Sequence, residues 1–122
     1  MESSTFKIYD TEGIGEVQVT EDVIAIIAGL AATEVEGVEA MAGGITNEIV
    51  AKLGRKNLAA GIKVAFQDGL VFVNISLITK MGYNLQEVSK NVQEKVKSAI
   101  ENMTGLTVET VDVRISNVKI DD

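Results

Sequence analysis

Histidine, cysteine and tryptophan are absent from this 122-residue chain, and most metal and nucleophile chemistry leaves with them. Structural zinc needs thiolates or imidazoles, a disulfide needs two thiols, and a Ser or Cys nucleophile usually needs an imidazole base. Carboxylates, Lys, Tyr and hydroxyls are what remains. Positive charge is scarce as well. Eleven Lys plus Arg stand against 18 Asp plus Glu, a net charge of -7, which is the wrong sign for attraction to nucleic-acid phosphates. No nucleic-acid partner is expected. The longest apolar run, Val23 to Ala32, falls well short of the roughly 20 residues that cross a bilayer, so no direct membrane span is expected. The opening MESSTFKIYD lacks a basic stretch followed by an apolar one, which points to a cytoplasmic protein in a reducing compartment.

What is present is the mix of a globular protein, 46% hydrophobic and 24% charged. The length predicts one domain over residues 1–122, with a core spanning about 15–115. A short strand is expected around Glu16 to Val19. Thr20 can cap the helix that follows, with Glu21 and Asp22 in its first turn, where the helix dipole favours acids. Gly37 marks its expected stop. In this helix Ile24, Ile27 and Ala31 form one stripe, and Ala25, Ala28, Gly29 and Ala32 form a strip of small residues. Such a strip admits a close backbone, either from a helix of the same chain or from a second subunit. A helix apolar on every side is expected to be covered on every side.

Residues 43–53 are expected to form a short helical segment. Gly61 to Leu77 reads as a hairpin, because Ile62, Val64 and Phe66 alternate with polar or small residues ahead of Asp68-Gly69. A two-residue turn sets Gln67 opposite Leu70, Phe66 opposite Val71, Val64 opposite Val73 and Ile62 opposite Ile75. The reverse face carries Lys63, Phe72, Asn74 and Ser76. Asn84 to Met103 is the strongest helix, with Leu85, Val88, Val92, Val96, Ala99 and Met103 as its apolar stripe. Asn84 and Glu87 have capping-box spacing, and Gly105 suits a left-handed end. Glu87, Glu94 and Glu101 recur every seven residues with Lys90 and Lys97 between them, a solvated ladder by expectation. Val111, Val113 and Ile115 alternate with Asp112 and Arg114 in a final strand with one wet face. Val118 and Ile120 break that alternation, so either a bulge shifts the register or the tail leaves the sheet. The order strand, helix, hairpin, helix, strand predicts an α+β fold with helices on one face of a small sheet, in a ferredoxin-like split βαβ arrangement.

Candidate sites are few. Gly43-Gly44 and Gly54-Arg55-Lys56-Asn57 could cradle an anion, but neither matches a phosphate-loop pattern, and helix capping with dipole complementarity explains the second better than ligand binding does. The carboxylate pairs Glu34 with Glu36 and Glu109 with Asp112 sit at an expected helix end and on a wet strand face, not in a cleft suited to acid-base work. No catalytic residue, cofactor or metal site is assigned. Charge is segregated along the chain. Residues 1–40 hold nine acids and one base, whereas residues 45–65 hold Lys52, Arg55, Lys56 and Lys63 against Glu48. Opposite patches on one small chain favour internal pairing or contact between copies, and self-association is expected.

Four segments together resemble the alkaline shock protein family, the envelope stress response proteins of Gram-positive bacteria. They are VIAIIAGLAATEVEGVEAM at Val23 to Met41, LGRKN at Leu53 to Asn57, NVQEKVKSAIENMTGL at Asn91 to Leu106, and VDVRI at Val111 to Ile115. At Met81-Gly82-Tyr83 the chain departs from the family, which more often has Tyr directly before Gly. The resemblance implies a small non-enzymatic cytoplasmic protein of envelope homeostasis and alkaline or general stress, in some members held near the membrane by a separate anchor protein. It implies as an alternative a regulatory partner of acetyl-CoA carboxylase. The expected contact surface comprises Ala25, Ala28, Gly29, Ala32, Arg55, Lys56 and Asn57.

Overall fold

The computed structural model describes residues 5–11, 15–42 and 60–120. Along the chain these form β1 (Thr5–Thr11), β2 (Gly15–Thr20), α1 (Glu21–Thr33), β3 (Val38–Met41), β4 (Ile62–Gln67), β5 (Leu70–Lys80), α2 (Leu85–Thr104) and β6 (Thr107–Lys119). The class is α+β. The expected segment at 43–53 lies outside the described residues, as do Gly43, Gly44 and the Gly54-Arg55-Lys56-Asn57 turn.

Local chemistry sets the element ends. Thr20 Oγ1 accepts from the Val23 N–H at 3.2 Å and caps α1. Asn84 Oδ1 accepts from the Glu87 N–H at 3.0 Å, and Gly105 ends α2 at φ 77° with its N–H donated to Glu101 O. Gly37 does not cap α1. The helix stops earlier, at Thr33, with Glu34 as a right-handed C-cap, and Gly37, at φ 99°, turns the chain into β3. The hairpin register is the one that the alternation predicts, from Gln67–Leu70 to Ile62–Ile75. Asp68 and Gly69 have φ of 54° and 80°, the pair of positive values that a type I′ turn requires.

β5 is the spine of the sheet. One edge pairs in parallel with β6 along its whole length, and the other pairs antiparallel with β4 over Leu70 to Ile75 and with β3 over Leu77 to Thr79. Ser76 joins the two short strands end to end: its N–H donates to Gly61 O, and its carbonyl accepts from the Ala42 N–H. The expected strand around Glu16 to Val19 is real but does not enter this sheet. It is β2, paired antiparallel with β1 in a hairpin of its own. In a split βαβ unit another strand separates the two strands that the helix joins. Here β5 and β6, joined by α2, are direct neighbours.

The helices cover one face of the sheet. Val71, Val73, Ile75 and Leu77 of β5 and Val108 and Val111 of β6 are buried in one cluster with Ile24, Ile27, Ala28, Ala31 and Ala32 of α1 and Val88, Val92, Val96 and Ile100 of α2. Full burial of one such side chain contributes about 1.5–3 kcal/mol. The seam of α2 differs from the expected stripe at both ends. It follows the i+4 row through Val88, Val92, Val96 and Ile100 to Thr104, while Leu85 and Met103 are 41% and 71% exposed and Ala99 is half-buried. Nor is α1 covered all round, since Val23 and Leu30 are exposed. Phe66 keeps its register, yet near the hairpin tip it is 43% exposed.

β6 resolves the break at Val118 by bulging. Its register against β5 shifts between Val108 and Thr110 and again between Ile115 and Asn117. The second shift returns Val118 to the row of buried Thr79, and Ser116 Oγ donates to Leu77 O at 3.1 Å. Glu101 is not a free rung of the charge ladder either, because its Oε2 accepts from the Val108 N–H at 2.9 Å and ties α2 to β6.

Candidate interaction surface

Alternation along each strand sends hydrocarbon to the helices and polar groups to the reverse face. Register then aligns the polar groups across strands. Lys63 of β4 lies beside Asn74 of β5, which lies beside Asp112 of β6, and in the next open row Ser76 lies beside Arg114. Lys63, Asn74, Asp112 and Arg114 are exposed and Ser76 is half-buried. They line a shallow depression of about 410 Å³ on the face away from the helices. Two cations, one carboxylate and two neutral hydrogen-bonding groups therefore stand on a rigid sheet. Farther along, Lys119 Nζ of β6 reaches Glu39 Oε2 of β3 at 3.4 Å.

The small-residue strip is elsewhere. Ala25, Ala28, Gly29 and Ala32 are all buried within the chain, and Ala28 and Ala32 sit in the core cluster with the α2 seam. These four residues are therefore not exposed on the surface of the single chain. Arg55, Lys56 and Asn57 lie outside the described residues. The carboxylate pairs are spread out on surface contacts. Glu34 pairs with Lys95 at 3.3 Å, and Glu36 accepts from the Tyr83 hydroxyl at 3.3 Å. Glu109 and Asp112 are both exposed on β6. Among the described residues, no group of three or more Asp or Glu is arranged to hold a metal ion. Sequence reading had the wet residues of each strand separately. It missed the surface they form together, because the parallel pairing of β6 with β5 has no local signal.

A profile of the alkaline shock protein 23 family, described by a cell envelope-related function, matches residues 9–120. The chain belongs to this family. A Streptococcus pyogenes relative, Spy1614, is 36% identical over 118 residues, covering 95% of this chain and 96% of that protein. The Bacillus subtilis relative YqhY is 31% identical over 108 residues, covering 88% and 80%. Among solved structures, a nickel form of MamM CTD covers 77% of this chain and 94% of its own at 11% identity, with a TM-score of 0.47. The alkaline shock protein 23 family is not a known enzyme family. No helix among the described residues is long and apolar enough to cross a membrane.

Proposed function

We propose that this chain is a non-enzymatic interaction protein of the cell-envelope stress response, acting in the cytoplasm through contact with protein partners and with copies of itself. The observation that carries this reading is the one-sided sheet: helices cover one face, and Lys63, Asn74, Asp112 and Arg114 stand exposed on the other. Rigid strands hold these groups at fixed spacing, which suits recognition of a complementary surface. Envelope association then comes through a partner, for which a separate membrane anchor protein is the leading candidate. No observation favours the carboxylase role over this one.

The test is a crosslinked pull-down from the native bacterium with and without envelope stress, comparing the natural chain with a Lys63→Glu/Arg114→Glu variant. Envelope or anchor proteins should be recovered with the natural chain and depleted with the variant. Equal recovery by both would remove the sheet face from the function, and recovery of soluble metabolic enzymes alone would remove the envelope role.

A further inference from the structure

Strand β6 is 13 residues long and, among the described residues, pairs along one edge only, with β5. No other described strand pairs with its second edge. A depression of about 310 Å³ between α2 and β6, lined by Gln93, Glu94, Lys97, Glu109 and Asp112 among others, runs beside it. The Val111 carbonyl accepts from Gln93 Nε2 at 3.0 Å, a helix side chain standing where a strand would otherwise donate. Backbone groups alternate in direction along a strand, so Val113 and Ile115 present their N–H and C=O groups on the same outer edge as Val111. The two register shifts bracket this edge and leave Thr110 to Ile115 as a regular run. Bulges commonly end pairing at a sheet edge, and here they confine it to a short segment.

We propose that this edge is a self-pairing surface: β6 of one copy adds antiparallel to β6 of a second copy about a twofold axis at Val113, joining the two sheets into one. The proposal rests on the self-association reading above and names its surface. Charge selects both the occupant and the register. With the axis at Val113, Asp112 of each copy faces Arg114 of the other, twice, on the open face, and Val111 faces Ile115 on the helix side, where the Ile115 N–H of the second copy replaces Gln93 Nε2 as donor to the Val111 carbonyl. Opposite charges in directly facing positions stabilise a ladder and like charges destabilise it. Moving the axis by one residue sets Asp112 against Asp112 or Arg114 against Arg114. The five residues Val111 to Ile115 thus read as a charge palindrome, complementary to themselves in one register. The axis also places Asp112 and Arg114 in the pair without direct hydrogen bonds, where facing side chains come closest.

The experiment uses the full chain, which has no cysteine of its own. In the proposed pair the two Val113 Cα atoms lie about 5.5 Å apart, inside the range that a disulfide spans. Under mild oxidation Val113→Cys should give a covalent dimer on a non-reducing gel, and Lys63→Cys, on β4 across the sheet from β6, should give no covalent dimer. In sedimentation velocity Arg114→Glu and Asp112→Lys should each weaken the dimer by roughly tenfold or more, and the exchanged pair Asp112→Arg/Arg114→Asp should restore it. Circular dichroism checks that each variant folds, and the conservative Val113→Cys change reads the register even where a charge variant does not. A natural dimer that resists both single charge changes and gives no Val113→Cys crosslink would overturn this surface while leaving self-association standing. A monomer at all accessible concentrations would overturn both.

Discussion

The backbone of Gly37 packs beneath Val88 so closely that a Cβ on Gly37 would stand 2.8 Å from Val88 Cγ2 and 3.0 Å from Tyr83 Cδ2. Gly37 also holds φ at 99° and accepts the Lys80 N–H at 2.8 Å. One residue therefore fixes how the chain leaving α1 meets both the start of α2 and the end of β5. Gly37→Ala adds a left-handed strain to a steric clash and should cost about 2–4 kcal/mol in urea unfolding.

The α2 cap is testable alone. Asn84→Ala removes the acceptor for the Glu87 N–H and should cost about 1 kcal/mol, whereas Asn84→Asp should keep most of the stability. Equal losses in the two variants would show that the contact is not what starts the helix.

The seam of α2 makes opposite predictions for two neighbouring apolar residues. Ile100 is fully buried and Met103 is exposed. Ile100→Ala should cost about 2–5 kcal/mol by loss of transfer energy and creation of a cavity. Met103→Ala should stay within about 0.5 kcal/mol. Chemical denaturation of both variants gives the comparison.

Thr79 is buried in β5, and its Oγ1 has no hydrogen-bond partner among the described residues. An unsatisfied buried hydroxyl opposes folding, so Thr79→Val, which keeps the branched shape, should be neutral or stabilising by about 1 kcal/mol. A marked loss of stability would show that the hydroxyl has a partner in solution.

The exposed Lys95–Glu34 pair links α2 to the end of α1 across 3.3 Å. Lys95→Ala should change stability by no more than about 0.5 kcal/mol, and added salt should shrink the difference, because the pair is screened.

What could be read from the residues was local. The Thr20 and Asn84 caps, the Gly105 end and the Asp68-Gly69 turn depend on residues a few positions apart, and the structure forms all of them. Register from Phe66–Val71 to Ile62–Ile75 followed from that turn and from the two-residue period of a strand. The stripe of α2 was legible in its centre and misread at its ends. Leu85 and Met103 fit a helical period, but only the width of the sheet and of α1 beneath determines which of the apolar positions are covered. The β3 strand, four residues long, carries too little pattern to be seen alone and exists through its pairing with β5.

By itself the sequence determined the α+β class, the order of the main elements and the wet and dry faces of β4, β5 and β6, because caps, turns and periodicity act between near neighbours. Tertiary structure alone decided that β2 pairs with β1 instead of entering the sheet, and that the small-residue strip of α1 is buried within the chain. It also decided that Lys63, Asn74 and Asp112 share one row and that, among the described residues, β6 pairs along one edge only. Each of these depends on contacts between residues far apart in the chain, whose free energies come from joint burial and pairing and leave no mark on any short stretch of residues.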